Sequence, residues 1–173
     1  MASYHSGFSL IETGIVLMLL SALMCLGMHS FQEYDRLLLH NELNRLYMLC
    51  IAYSQRAALQ QRPYEITFSS TNSQIINITE PSQEEIHHLT NGTQFGILTS
   101  VKGPPATPQN FITQPITFVG NKITFYPDGK IQPGTLYLTD TNKRWLYALS
   151  CSVGTLSYLR RYRYEQNKWI LMA

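Results

Sequence analysis

An uncharged apolar stretch near the N-terminus constrains the fold of this chain more than any other feature. Residues 13–28 contain no charged side chain, and the apolar run around them, residues 8–31, is longer than the roughly 20 residues that a helix needs to cross a bilayer. The whole chain has few charged residues, since only 14% of its 173 residues are Asp, Glu, Lys or Arg, and neutral polar residues are common outside the apolar stretch. The mean hydropathy of −0.11 excludes a polytopic membrane protein. The pattern is that of one apolar segment followed by a polar domain.

Glu12 interrupts the apolar run near its N-terminal end. An ionised carboxylate at membrane depth costs at least about 2.5 kcal/mol, so it normally has a partner or a function. A plain membrane anchor fits the length of the run but leaves Glu12 unexplained. A secretory signal peptide fits less well, because residues 1–7 hold no Lys or Arg and residues 28–31 form a poor cleavage site.

A third interpretation accounts for the acidic residue through the motif that contains it, Gly7-Phe8-Ser9-Leu10-Ile11-Glu12. This motif resembles the prepilin peptidase site of type IV pilins and type II secretion pseudopilins. The resemblance implies that prepilin peptidase cuts between Gly7 and Phe8, that the new amine of Phe8 is methylated, and that Glu12 directs assembly. The family leader usually carries Lys or Arg, whereas this one has only His5, so the orientation in the membrane is weakly encoded.

The spacing between Phe8 and Glu12 has a physical basis. Four residues make about one helical turn, so the new amine of one subunit and the carboxylate of another can meet when helices stack. Pairing makes the two charges tolerable in a low-dielectric filament core. The resemblance implies that the partners are the prepilin peptidase and methyltransferase, other pilin or pseudopilin subunits, and the bacterial inner membrane.

The same resemblance divides the chain into four parts. Residues 1–7 are the leader, 8–30 a transmembrane and filament-core helix, 31–62 an amphipathic continuation, and 63–173 a β-rich head. The continuation shows an apolar stripe at spacings of three and four residues, with Glu42 on the polar side. The stripe consists of Leu39, Leu43, Leu46, Cys50, Tyr53 and Ala57. The implied topology is a single pass through the inner membrane, with a cytoplasmic leader and a periplasmic head that joins a filament on assembly.

Alternating patterns and turn residues after residue 63 predict strands, so the expected fold class is α+β, a long helix packed on an antiparallel meander. The predicted strands cover residues 64–68, 74–79, 116–119, 122–126, 135–139, 145–150, 155–164 and 169–171. Residues 80–111 match neither period, and we expect a long connection there with one short strand near residues 95–98. The resemblance to pilins implies the type IV pilin fold.

Residues 123–130 and 134–138 narrow the family. The first range is a strand that ends in Pro-Asp-Gly-Lys and the second is a strand that opens with Gly-Thr. Together they resemble the GspH/FimT group of minor pilins. GspH-type subunits belong to type II secretion filaments and FimT-type subunits to type IV pili, and the resemblance does not choose between the two machines. DNA-linked FimT-type members carry Gly-Arg-x-Arg in the last hairpin, where residues 154–157 here read Gly-Thr-Leu-Ser.

The C-terminus is basic although the formal charge of the whole chain is only +2. Residues 143–173 hold six basic side chains and a single acidic one, interleaved with Tyr and Trp. A basic and aromatic strip can bind phosphates and stack bases, so the alternative function is a pilus-tip module that captures DNA. Its candidate residues are Arg160, Arg161, Arg163 and Lys168. A solvated strand face or a contact to an acidic neighbouring subunit explains the same charges, and alternation along a strand prevents one patch from including them all.

Other chemistry is sparse. Cys50 and Cys151 would both lie outside the cytoplasm, where a disulfide between them can persist, while Cys25 is expected to be a small apolar residue. The adjacent His87 and His88 lack a third ligand at a metal-binding spacing. No Ser, His and Asp set, no Cys and His set and no phosphate-binding loop is recognisable. We therefore predict no enzymatic activity, no cofactor and no metal.

Overall fold

The structure, a computed structural model, describes residues 10–71, 74–80, 83–105, 108–151 and 158–172, without the side chains of residues 26–32, 74, 76–80 and 83–85. The chain divides into two compact units, Met1–Tyr34 and Asp35–Ala173, and helix α1, Leu10–Gln60, belongs to both. The strands all lie in the second unit. They are β1 (Tyr64–Ser69), β2 (Gln74–Glu80), β3 (Gln83–His88), β4 (Thr93–Phe95), β5 (Lys122–Phe125), β6 (Gly134–Asp140), β7 (Leu146–Cys151), β8 (Leu159–Glu165) and β9 (Lys168–Leu171). The α+β class is confirmed.

In the first unit, residues 10–25 form a helix whose side chains are exposed around its whole circumference. Leu, Met and Ala dominate there, and these residues have high helix propensity. The two hydroxyl side chains bond back to the helix, with Thr13 Oγ1 donating to the Leu10 carbonyl at 3.1 Å and Ser21 Oγ to the Met18 carbonyl at 2.8 Å. These two hydroxyl groups are thus satisfied by the helix itself.

The structure adds one finding on membrane crossing. Within the residues that it describes, no helix combines the length and the hydropathy that a membrane span requires. The predicted segment 8–30 lies partly outside those residues, since residues 8 and 9 and the side chains of residues 26–30 are not described.

The second half of α1 packs on the strands through the apolar stripe. All six side chains of the stripe, from Leu39 to Ala57, are buried in the main core. The helix ends at Gln60 because Gln61 takes a left-handed φ of 52° and Pro63 has no N–H with which to continue the ladder. A stripe with this period therefore fixes which face of α1 meets the head.

The expected antiparallel pairing is confirmed, but the strands form two sheets instead of one continuous meander. The first sheet has the order β3-β2-β1-β5, and the second has the order β4-β6-β7-β8-β9. The division arises because β5 pairs with β1, far back in the chain, with Tyr64 opposite Phe125 and Glu65 opposite Thr124. Strand β6 then begins the second sheet rather than extending the first.

Three predicted segments differ in detail. Residues 80–111 contain β3 and β4, although the charged β3 has no hydrophobic alternation that would identify it as a strand. The predicted strand 116–119 is a single bridge from Ile116 to Leu136, followed by a 3-10 turn over Val119–Asn121. Left-handed φ values of 68° at Gly120 and 54° at Asn121 end the extended backbone there. Residues 155–157 of the predicted strand 155–164 lie outside the described residues, and β8 is described from Leu159 onward.

The second sheet is covered on both faces. One face joins the main core under α1 through Leu136, Leu138, Tyr147, Leu149, Cys151 and Leu159. The other face packs beneath residues 97–105 and 108–112, which we call the covering segment, through Tyr137, Leu146, Ala148 and Tyr162. The covering segment is held by Trp169, whose Nε1 donates to the Lys102 carbonyl at 2.8 Å, and by its own bond from Gly103 N to the Asn110 carbonyl at 2.9 Å.

Candidate assembly site

The candidate assembly site is the N-terminal part of α1, residues 10–25, which we call the assembly segment. Ten large apolar side chains on it are between 47% and 90% exposed. They are Leu10, Ile11, Ile15, Val16, Leu17, Met18, Leu19, Leu20, Leu23 and Met24. A contiguous apolar surface of this extent marks a place that a partner or a lipid phase covers.

Glu12 carries the single charge of the assembly segment. It lies in the first turn of α1, where the positive end of the helix dipole stabilises a carboxylate by roughly 0.3–1 kcal/mol. Gly7 and Phe8, the predicted cleavage and methylation positions, lie outside the described residues. The structure therefore places Glu12 among exposed apolar side chains, and the processing of the chain stays a prediction.

Strand β8 does not present its cations on one surface. Arg161 turns toward α1, where its Nη1 donates to Asn44 Oδ1 at 2.7 Å and its guanidinium lies 4.5 Å from the ring centroid of Tyr47. Arg163, on the same face, forms a 2.6 Å ion pair with Glu165. Two of the four candidate anion-binding residues are thus engaged within the head.

The other two basic candidates are exposed. The Arg160 guanidinium stacks 4.4 Å from the ring centroid of Tyr158, on the face of β8 opposite to that of Arg161. Lys168 begins the edge strand β9. The structure therefore separates the cluster that the sequence suggests into an inward pair and an outward pair.

A buried acid that the sequence reasoning missed joins α1 to the second sheet. Asp140, at the end of β6, is 1% exposed, and its Oδ1 accepts from the backbone N–H groups of Arg144 at 2.7 Å and Trp145 at 2.8 Å. Arg144 also reaches the helix, with 2.5 Å between its Nη2 and Asp35 Oδ2. We call this set of contacts, which links Asp35 to Arg144 and Arg144 to Asp140, the hairpin clamp. The sequence feature that could have indicated this role is the position of Asp140 at the start of a turn, where an Asp side chain bonds nearby backbone N–H groups.

Glu42 forms a second buried contact, and its expected place on the polar side of α1 is wrong. The side chain is 2% exposed because it lies one turn before Leu46 and so borders the apolar stripe. Its Oε2 accepts from Thr90 Oγ1 at 2.6 Å, and its Oε1 lies 2.7 Å from Arg45 Nη2. Arg45 Nη2 donates in turn to the His88 carbonyl at 2.9 Å. These contacts fix α1 to the chain that follows β3.

Cys50 and Cys151 are both buried in the main core as thiols. Burial, with a smaller contribution from the neighbouring Cys151, raises the pKa of Cys50 to about 12. Burial raises the pKa of Cys151 to about 11. The disulfide between them stays a prediction, whereas Cys25 is exposed on the assembly segment.

Metal-ligating residues do not converge in the part of the chain that the structure describes. No group of three or more His, Cys, Asp or Glu side chains there could hold a metal ion. His87 and His88 are consecutive in β3, so their side chains point to opposite faces of the sheet.

Comparison with protein-family models finds no match, and comparison with curated proteins finds none. Two solved structures of the minor pseudopilin EpsH from the type II secretion system of Vibrio cholerae are similar. One has 13% sequence identity and a TM-score of 0.49, and the match covers 71% of this chain and 94% of that chain. The other has 10% identity and a TM-score of 0.45, with 79% and 94% covered.

Proposed function

We propose that this chain is a minor pilin-like subunit of a type II secretion or type IV pilus filament that assembles through its N-terminal helix. The observation that carries the proposal is the exposed assembly segment with its single carboxylate at Glu12. Burial of apolar surface stabilises by roughly 25 cal/mol per Å², so ten exposed apolar side chains favour a bilayer before assembly and a bundle of helices after it. The head of such a subunit lies outside the cytoplasm.

Processing by prepilin peptidase would supply the charge partner that Glu12 needs. Cleavage after Gly7 leaves a cationic amine on Phe8, about one helical turn before Glu12, and the same enzyme methylates it. In the filament the amine of one subunit pairs with Glu12 of another. Removal of one partner from a buried ion pair costs about 3–5 kcal/mol, so this pairing would set the axial register of incoming subunits.

The second half of α1 attaches the helix firmly to the head. The hairpin clamp holds it at Asp35, and the contacts of Thr90 hold it at Glu42. A subunit drawn into a filament by its assembly segment would carry the head with it.

The substitution Glu12→Gln in the full-length chain tests the proposal in a strain that has prepilin peptidase and the filament machinery. Cleavage should proceed as in the wild type, because the scissile bond is unchanged. The amount of mature subunit in the sheared filament fraction should fall at least about tenfold, because the buried amine of a neighbour loses its partner. Immunoblots of precursor, mature protein and filaments measure both quantities.

The matched control is Glu33→Gln, which removes a carboxylate from the same helix but outside the uncharged run. This variant should enter filaments at the wild-type level. Wild-type incorporation of the Glu12→Gln chain would refute the proposed assembly role. Deletion of the type II secretion ATPase or of the pilus ATPase then identifies the machine, since only one deletion should abolish incorporation.

The alternative proposal, DNA capture through the basic C-terminal strands, has the narrower support. Arg161 and Arg163 are engaged within the head, which leaves Arg160 and Lys168 as exposed contacts. If it holds, the detergent-solubilised chain should retard a labelled duplex at low salt and release it as salt rises. The double substitution Arg160→Ala and Lys168→Ala should abolish that shift, and its absence from the unsubstituted chain would dismiss the alternative.

A further inference from the structure

Two buried cysteine residues of one core lie on different elements, α1 and β7. Cys50 lies on the apolar stripe and is 0% exposed, and Cys151, the last residue of β7, is 3% exposed. Both belong to the main core. Two buried thiols in one core are either separate space-filling side chains or a pair, and the alignment of helix and strand shows whether they lie at the same level.

Contacts at two levels show how α1 runs along β7. At the first level, the Arg36 guanidinium lies 5.4 Å from the ring centroid of Trp145, which directly precedes β7. At the second level, Arg161 donates to Asn44 at 2.7 Å and stands opposite Leu149 in the sheet register. From one level to the next the helix advances about 12 Å and the strand about 13 Å. The helix and the strand therefore run side by side in the same direction.

The same alignment places Cys151 level with Cys50. Cys151 is two residues beyond Leu149, so it shares the sheet face that is turned toward α1 and lies about 6.7 Å further along the strand. An equal distance along a helix is four to five residues, about 1.5 Å each, which leads from the turn of Asn44 and Tyr47 to Cys50. The electrostatic influence of Cys151 on the pKa of Cys50 indicates the same proximity.

We propose that Cys50 and Cys151 form a disulfide that joins α1 to the second sheet when the head folds in an oxidising compartment, a location that rests on the proposed function. The oxidant is a thiol–disulfide oxidoreductase or a small disulfide. One cysteine thiolate attacks the donor disulfide, forms a mixed disulfide and releases the first donor thiol. The second cysteine then displaces the remaining donor sulfur. The donor gains two electrons and two protons, and the two cysteine residues lose them.

Burial dictates when this bond forms. Thiolates are the attacking species, and burial keeps both thiols protonated in the folded head. The exchange therefore takes place before the core closes, and the finished bond is shielded from reductants. The bond closes a loop of about 100 residues, a length at which a disulfide restricts the unfolded chain strongly, and we expect the melting temperature to rise by about 10 °C.

Refolding of the full-length Cys25→Ser chain in detergent with a glutathione redox buffer tests the pairing. Cys25→Ser removes the exposed third thiol and so prevents crosslinks between chains. After denaturation and alkylation without reductant, we expect no alkylated thiol and a crosslinked peptide that joins Cys50 to Cys151 in the mass spectrum. Two alkylated thiols per chain would overturn the proposal.

Melting temperatures give a second readout that filament assembly does not influence. The chain refolded in redox buffer should melt about 10 °C above the same chain refolded in reductant. In the control variant with Cys25→Ser and Cys50→Ala the two temperatures should coincide. Should that control fail to fold, the comparison within the Cys25→Ser chain still decides, and equal melting of its oxidised and reduced forms overturns the pairing. Wild-type filament incorporation of the Glu12→Gln chain would refute the assembly role. It would leave the alkylation result and the difference in melting temperature unchanged.

Discussion

Buried carboxylates, more than the basic residues, connect the distant parts of the head. Asp140 orders the β6–β7 turn and orients Arg144 toward Asp35 on α1. The sequence alone makes Glu12 a candidate site residue, because its motif lies in six consecutive residues. It could not identify the hairpin clamp, because Asp35 and Arg144 are about 100 residues apart in the chain and only the fold brings them together.

The substitution Asp140→Ala should lower the free energy of unfolding by about 2–4 kcal/mol, because it removes hydrogen bonds to a buried carboxylate and leaves Arg144 with one partner fewer. Urea unfolding of the full-length chain in detergent measures the loss. Asp128→Ala is the matched control, since Asp128 also opens a turn and accepts from the Lys130 backbone N–H at 3.1 Å but is exposed. It should have a much smaller effect, and equal losses from the two variants would contradict a special role for the buried acid.

Periodic elements were predictable from the sequence, and long-range pairings were not. The apolar stripe of α1 and the alternating strand β1 correspond to predicted segments, because each has a clear period. Strands β6 and β7 also correspond to predicted segments, because each is a short apolar run bounded by turn residues. The exchange of β5 into the first sheet has no local signal, since it depends on β1 being available about 57 residues earlier in the chain. The long connection was predicted, but the packing of the covering segment on the second sheet was not, because it has no periodic pattern that indicates a buried face.

Close packing between elements makes Gly134 a sensitive position at the start of β6. A Cβ atom there would lie 2.4 Å from the Phe118 ring, so Gly134→Ala should overpack this contact and reduce the free energy of unfolding by about 1–3 kcal/mol. Thermal unfolding followed by circular dichroism measures the change. Gly14→Ala is the comparison variant, because no atom lies within 4 Å of the added methyl group. A head that tolerates Gly134→Ala as well as Gly14→Ala would show that the Phe118 ring moves aside.

For the whole molecule in its reduced form, the buried thiols set the response of stability to alkaline pH. Their ordinary pKa is 9.0, and burial raises it in the folded state to about 12 for Cys50 and about 11 for Cys151. Below pH 9 both states keep the protons. As pH rises further the unfolded chain ionises first, so stability falls by about 1.4 kcal/mol per pH unit for each thiol until the folded pKa is reached. Tyr137, whose pKa burial raises to about 12, steepens the fall above pH 10.

Urea unfolding in reductant between about pH 8 and 11 measures this slope. The variant that combines Cys50→Ala with Cys151→Ala should show a flatter dependence, because the two buried thiols no longer titrate. Identical slopes in the two proteins would contradict the assignment of the alkaline loss to the thiols. A chain with the Cys50–Cys151 disulfide should follow the flatter curve, since it has no thiol proton to lose at these positions.

The parallel direction of α1 and β7 has a mechanical consequence. If the chain assembles as proposed, a pull on the N-terminal end of its helix puts tension along α1. The contacts made by Asp35, Arg36 and Asn44 are spread along the length of that helix. Tension therefore strains them together, in shear, instead of opening them one after another. The rate of forced unfolding then depends on a barrier that includes all of these contacts at once. The helix can thus transmit a pulling force to the head, and the contacts between helix and head resist separation one by one from either end.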